Sequence, residues 1–283
     1  INLDAADVVI TAGGAIFFAT DSIVAGGVDL TLTAGADITI NDAVVNGFTV
    51  SDAGAPTINL FGTISAQTAI TLGGNTVFLG DDAALHNDEV GGGDITATGS
   101  IDGEHEFTLS SGGTVTLGAI GATEQLTELR IDNSNNTIRA ADTSVDGNIV
   151  ILATAGADDA IDVGGTMTSD NGSINLNAAG GGIELNGIVS ANGDVTLNGD
   201  AIELTVSDAG NPEINSNTGN IGLHGNFTAV VLDVELTSDS ASLNGNVTVG
   251  SLDTTGVGTT TLLDAVAISA GTGAVDLGEV DGP

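Results

Sequence analysis

Gly172-Ser173-Ile174-Asn175-Leu176 returns as Gly193-Asp194-Val195-Thr196-Leu197, and again as Gly219-Asn220-Ile221-Gly222-Leu223. In each stretch a glycine and a small polar residue lead into apolar residues at alternate positions. Alternation with a period of two puts those apolar residues on one side of a β-strand. Gly, Asn, Asp and Ser in front of them are turn formers. A turn followed by a short strand, returning every twenty-odd residues, predicts coils that stack on one another.

The phrase extends in both directions. It stands at Gly93-Asp94-Ile95, Gly113-Thr114-Val115-Thr116-Leu117 and Gly147-Asn148-Ile149-Val150-Ile151, and again at Gly245-Asn246-Val247-Thr248-Val249 and Gly273-Ala274-Val275-Asp276-Leu277. The spacing of these glycines is loose, widest between Gly113 and Gly147 and tightest between Gly93 and Gly113. A second phrase marks a duplication: Val50-Ser51-Asp52-Ala53-Gly54-Ala55-Pro56-Thr57-Ile58-Asn59 returns from Val206 to Asn215, with eight of ten positions identical. A third, apolar-x-Leu-x-Gly-x-apolar, runs over Ile58 to Ile64, Ile183 to Val189 and Ile221 to Phe227. Its glycine falls between two short strands, where a corner is expected to need positive φ.

Within Leu126-Thr127-Glu128-Leu129-Arg130-Ile131-Asp132, Leu129 and Ile131 share one strand face while Glu128, Arg130 and Asp132 share the other. No stretch carries a capped 3.6-residue pattern, so almost no helix is expected. Gly121 to Leu126 reads as a loop or a single turn.

Composition removes several functional classes. The 283 residues carry 2 Lys+Arg against 38 Asp+Glu, a formal charge of −36. Arg130 and Arg139 are the only permanent side-chain cations, which argues against nucleic acid as a partner, since phosphate must be neutralised. With no cysteine there is neither a disulfide framework nor a thiol nucleophile. At 41% apolar residues the chain is too hydrophobic for an acidic disordered segment. No run reaches the roughly 18 apolar residues of a membrane helix, and no membrane insertion is expected.

Short strands, each with one apolar face, fit either a closed barrel or a parallel β-helix. A membrane barrel needs strands of about 10 residues and aromatic girdles; Trp and Tyr are absent here. The expected fold is therefore all-β: a parallel β-helix, or β-solenoid, of roughly 12 coils, with residues 1–283 forming a single solenoid segment. Ile1-Asn2-Leu3-Asp4 reads as a strand already under way, and no polar cap is legible at either end. The chain is accordingly read as part of a longer repeat array or as a subunit that stacks end to end, with other copies of itself or flanking repeats as partners.

Gly112-Gly113-Thr114-Val115-Thr116-Leu117-Gly118-Ala119-Ile120-Gly121-Ala122-Thr123-Glu124-Gln125-Leu126-Thr127-Glu128-Leu129 and the stretch from Ile183-Glu184-Leu185-Asn186-Gly187 to Asp194-Val195-Thr196-Leu197 resemble the repeat region of filamentous-haemagglutinin-like bacterial surface exoproteins and adhesins. The resemblance spans most of the chain and rests on low-complexity phrases. It implies secretion, a right-handed coil, an extracellular or cell-surface location, and a structural or adhesive role with glycans or proteins of a host or cell surface as partners. The family's N-terminal secretion domain is not recognisable here, and the scarcity of Lys and Arg departs from many such shafts.

Two acidic pairs, Asp81-Asp82 and Asp158-Asp159, offer oxygen ligands to a hard cation such as Ca²⁺; the plainer reading is a solvated turn. In Glu104-His105-Glu106 the strand pleat separates the imidazole from both carboxylates, and His86 and His224 stand alone, so surface imidazoles are expected. Asn135, Asn171, Asn226 and Asn246 head Asn-x-Ser/Thr sequons, but corner asparagines are better read as stacked side-chain ladders. Carboxylates are so abundant that no pair stands out for glycan hydrolysis. No catalytic residue or required cofactor is assigned, and the chain is not read as an enzyme.

Overall fold

The computed structural model describes residues 7–18, 23–52, 57–74, 76–87, 92–133, 136–154, 160–205, 213–263, 266–270 and 274–281. All regular structure in them is β, and every pairing with a described register is parallel. The strands stack in about ten turns, a β-solenoid. The sequence repeat, spread over the whole chain, predicts roughly 12; the described strands begin at Val8 and end at Asp281. The chain divides into two units, Ile1–Ala141 and Asp142–Pro283.

In the first unit each coil contributes to three in-register ladders. One runs through the strands Val8–Ala12, Ile23–Ala34, Ala43–Asp52, Ile70–Leu72, Ile95–Ala97, Val115–Leu117 and Ile138–Ala140. Its inward column passes from Val8 through Leu30, Phe48, Ile70, Ile95 and Val115 to Ile138. All but Val8 are buried. One residue further along, the outward column reads Val9, Thr31, Thr49, Thr71, Thr96, Thr116, Arg139. Threonine suits this place because its branched Cβ packs against the neighbouring rung while its hydroxyl meets solvent. A second ladder stacks Ile64, Leu85, Leu109 and Ile131. The third stacks Ile16, Ile38, Ile58, Val77 and Ile101.

The second unit repeats the arrangement. Ile161, Ile183, Ile202, Phe227, Val247 and Ile268 form one column. Ile151, Leu176, Leu197 and Leu223 form another, and Met167, Val189, Ile214 and Leu236 a third. Each fully buried Leu or Ile contributes about 1.5–3 kcal/mol through the apolar surface it removes from water. Because the coil is narrow, the core is built from aliphatic side chains one rung deep, with Phe48, Phe107 and Phe227 its largest members.

The glycine of the repeat phrase has a steric reason. A Cβ on Gly113 would lie 2.6 Å from the Gly93 carbonyl oxygen, and one on Gly172 would lie 2.4 Å from the Gly147 carbonyl carbon. These glycines stack directly, and only hydrogen leaves room for the backbone of the preceding coil. The same holds for two of the three glycines expected to need positive φ. A Cβ on Gly62 would meet the Asp42 carboxylate at 2.5 Å and one on Gly187 the Gly165 backbone at 2.6 Å, both without positive φ; only Gly225, at φ 142, fits the expectation. Close stacking, rather than turn geometry, selects glycine at most of these corners.

Candidate functional site

In five of the eight repeat phrases the small polar residue after the glycine (Asp94, Asn148, Ser173, Asp194 or Asn220) accepts a hydrogen bond from the next coil at a corner, and Asp42, outside the phrase, does the same. The Asn148 Oδ1 accepts from the Ser173 amide at 3.0 Å, the Ser173 Oγ from the Asp194 amide at 3.0 Å, and the Asp194 Oδ1 from the Asn220 amide at 2.8 Å. The Asn220 Oδ1 in turn accepts from the Ser240 hydroxyl at 2.6 Å. In the first unit the Asp94 Oδ1 accepts from the Thr114 amide at 2.9 Å, and the Asp42 Oδ1 from the Thr63 amide at 2.8 Å. Corner amides lie where ladder pairing breaks, so a side-chain oxygen replaces the missing carbonyl. Part of the chain's acidity therefore has a structural use: the corner carboxylates of Asp42, Asp94 and Asp194 each tie their coil to the next.

Buried serines secure the same corners from inside. The Ser169 hydroxyl donates to the Gly147 carbonyl at 2.6 Å, and its oxygen accepts from the Gly172 amide at 3.1 Å. Ser216 does the same with Gly193 and Gly219, at 2.7 and 3.1 Å. The expected asparagine ladders turn out to be mixed. Asn198 Nδ2 donates to Asn177 Oδ1 at 3.3 Å, and the Asn226 Oδ1 accepts from the Asn246 amide at 3.3 Å. Asn171 Nδ2 donates to a carboxylate, that of Asp146, at 2.6 Å.

Asp81 and Asp82 lie exposed at a corner of the first unit, and the following coil brings His105 beside them. Each offers one ligand atom, and the three atoms lie within 4.8 Å of one another. His105 Nδ1 is 3.8 Å from Asp82 Oδ1, an oxygen that also accepts from the Glu106 amide at 3.0 Å. Asp81 Oδ1 accepts from the Asp82 amide at 2.9 Å. The cluster thus presents two carboxylates and one imidazole from two successive coils, a mixed oxygen–nitrogen set that suits a borderline cation better than calcium. The strand pleat expected across Glu104-His105-Glu106 is not there: Glu104 and His105 form a bend ahead of the strand Glu106–Ser111, and the partner of His105 stands on the preceding coil. Asp158 and Asp159 lie outside the described residues, as does Asn135.

The other histidines differ from plain surface imidazoles in one respect. His86 stacks between Ser65 and Ser110, and its Nδ1 is buried with no partner among the described residues. His224 follows Asn198 on the next rung of an outward column. Arg130 is held by Asp132 two residues on, through bonds of 3.0 and 3.2 Å, so this cation is paired on its own strand.

The second unit also carries a trough of about 430 Å³ on one side. Its floor follows an outward column in which Thr168, Ser190, Asn215 and Thr237 occupy four successive rungs. Asp170, Asn192 and Asn217 edge it. Asn215 Nδ2 donates to Glu213 Oε2 at 3.2 Å. Nothing in the repeat phrases singles out this row, because alternation gives every outward position the same polar character.

Compared with family models, with curated proteins and with solved structures, the chain matches none.

Proposed function

We propose that the chain is a segment of an extracellular bacterial surface protein, a β-helical shaft or fibre whose work is structural or adhesive. The observation that carries this reading is the way successive coils are joined. Backbone ladders on each side, corner oxygens and buried serines all direct their hydrogen bonds from one coil to the next, so separating two coils breaks many bonds together. Such a stack spaces and displays whatever it bears without any chemistry of its own. The resemblance of the repeat phrases to filamentous-haemagglutinin-like exoproteins supports the location, and the −36 charge supports solubility, since like-charged surfaces repel sideways association of strand edges. The partners this reading implies are coils of the same kind, in another copy or in flanking repeats, and glycans or proteins of a cell surface. The test is labelling of intact cells of the source organism with antibody against this chain. Decoration of the cell exterior is expected; label reached only after permeabilisation overturns the reading.

A second reading, a cation-binding surface module, draws on the Asp81, Asp82 and His105 cluster. On this reading Zn²⁺ raises the melting temperature more than Ca²⁺ does, and His105→Ala removes the difference. Identical melting in Zn²⁺, Ca²⁺ and EDTA refutes it.

A further inference from the structure

The trough in the second unit has hydrogen-bonding capacity that the fold does not use. The side chains of Thr168, Ser190, Asn192, Asn217 and Thr237 line it and make no hydrogen bond among the described residues. Elsewhere in the same unit, corner residues of the same types are engaged by the next coil. The trough residues are also held in place: Thr168, Ser190, Asn215 and Thr237 alternate along their strands with the buried Met167, Ser169, Val189, Ala191, Ile214, Ser216, Leu236 and Ser238. Outward groups anchored in this way repeat at about 4.8 Å, the spacing of paired strands.

We infer that this trough binds a neutral, hydroxyl-rich linear chain, namely an uncharged oligosaccharide. Its volume of about 430 Å³ is that of a small-molecule site. Its lining is hydroxyl and amide, groups that both donate and accept, as sugar hydroxyls do. Asp170 and Glu213 put carboxylates at the trough, and no cation lines it. Uronates, sulfated glycans and phosphates are therefore repelled, while a neutral sugar is not. An apolar ligand gains little, since Ala191 is the only wholly apolar side chain in the lining. Successive rungs offer the same kinds of group at a regular step, which suits a polymer of repeating units laid along the stack. The inference rests on the surface reading above by naming a partner class for it, and it is tested independently of cell labelling.

The test uses the full chain and a panel of uncharged linear hexasaccharides: β-1,4-glucan, α-1,4-glucan, β-1,4-mannan and β-1,4-xylan, with hexagalacturonate as the acidic counterpart. Calorimetry gives affinity and amide chemical shifts give place. At least one neutral hexamer is expected to bind and to shift the amides of Thr168, Ser190, Asn215 and Thr237. Asn215→Ala is expected to weaken binding about tenfold, the loss of one well-placed polar contact. Ser190→Arg, which fills the trough from a solvent-facing position, is expected to abolish binding while the melting temperature stays unchanged. Hexagalacturonate should bind at least about tenfold more weakly than the neutral ligand. The inference is overturned if no neutral hexamer moves these amides at about 10 mM, far above the dissociation constant of a specific site. It is equally overturned if Ser190→Arg folds and binds as well as the parent, or if hexagalacturonate binds as tightly.

Discussion

The corner row Asn148, Ser173, Asp194, Asn220 and the trough row Thr168, Ser190, Asn215, Thr237 lie in one unit and use the same few residue types to opposite ends. Each corner residue gives a side-chain oxygen to a donor on the following coil. In the trough row only Asn215 bonds to a described side chain, that of its own strand neighbour Glu213. Composition does not separate a polar residue that holds the fold from one available to a ligand. What separates them is whether the next coil supplies a partner. The same distinction applies to the corner carboxylates: Asp42, Asp94 and Asp194 each serve as acceptors for the following coil.

The largest expected effect breaks the corner. Gly172→Val drives a branched side chain into the Gly147 backbone, 2.4 Å from where its Cβ would stand. It should cost about 4 kcal/mol in urea denaturation, at the upper end for point substitutions. Asp194→Ala removes the acceptor for the Asn220 amide and is expected to cost about 1 kcal/mol, the corner being exposed to water. Asp194→Asn keeps an oxygen in place and should stay within about 0.5 kcal/mol of the parent. If Asn is as damaging as Ala, the corner depends on charge rather than on the hydrogen bond. At the small end, Ser190→Ala in the trough should leave stability within about 0.5 kcal/mol; a larger loss would mean that the hydroxyl has a structural partner.

Most of the fold was legible because a period of two and a repeat of twenty-odd residues are local signals. Leu129 and Ile131 are buried while Arg130 and Asp132 face outward, as the alternation requires. Gly121 to Leu126 contains bends and no helix. The candidate site was less legible, since it depends on which residues meet across coils. His105 reaches Asp82 through the stacking register, not through its sequence neighbours. The corner acceptors did leave a signal, the small polar residue after five of the eight repeat glycines, but its role depends on the donor that arrives from the next coil. The trough left none, because threonine, serine and asparagine are ordinary outward residues on every side of the stack.

Parallel, in-register stacking of coils is what all of these expectations share, and a chain without cysteine allows it to be measured by pairwise cross-linking. Thr96 and Thr116 face each other on adjacent rungs, about 4.8 Å apart and within the Cα range a disulfide spans. Thr71 and Thr116 stand in the same outward column but two rungs apart, about 9.6 Å at that spacing and beyond the disulfide range. Oxidation of the Thr96→Cys/Thr116→Cys protein should give an intramolecular disulfide in nearly every molecule, whereas the Thr71→Cys/Thr116→Cys protein should stay reduced. A failure of the first pair to close, or equal closure of both, would contradict the stacked coil.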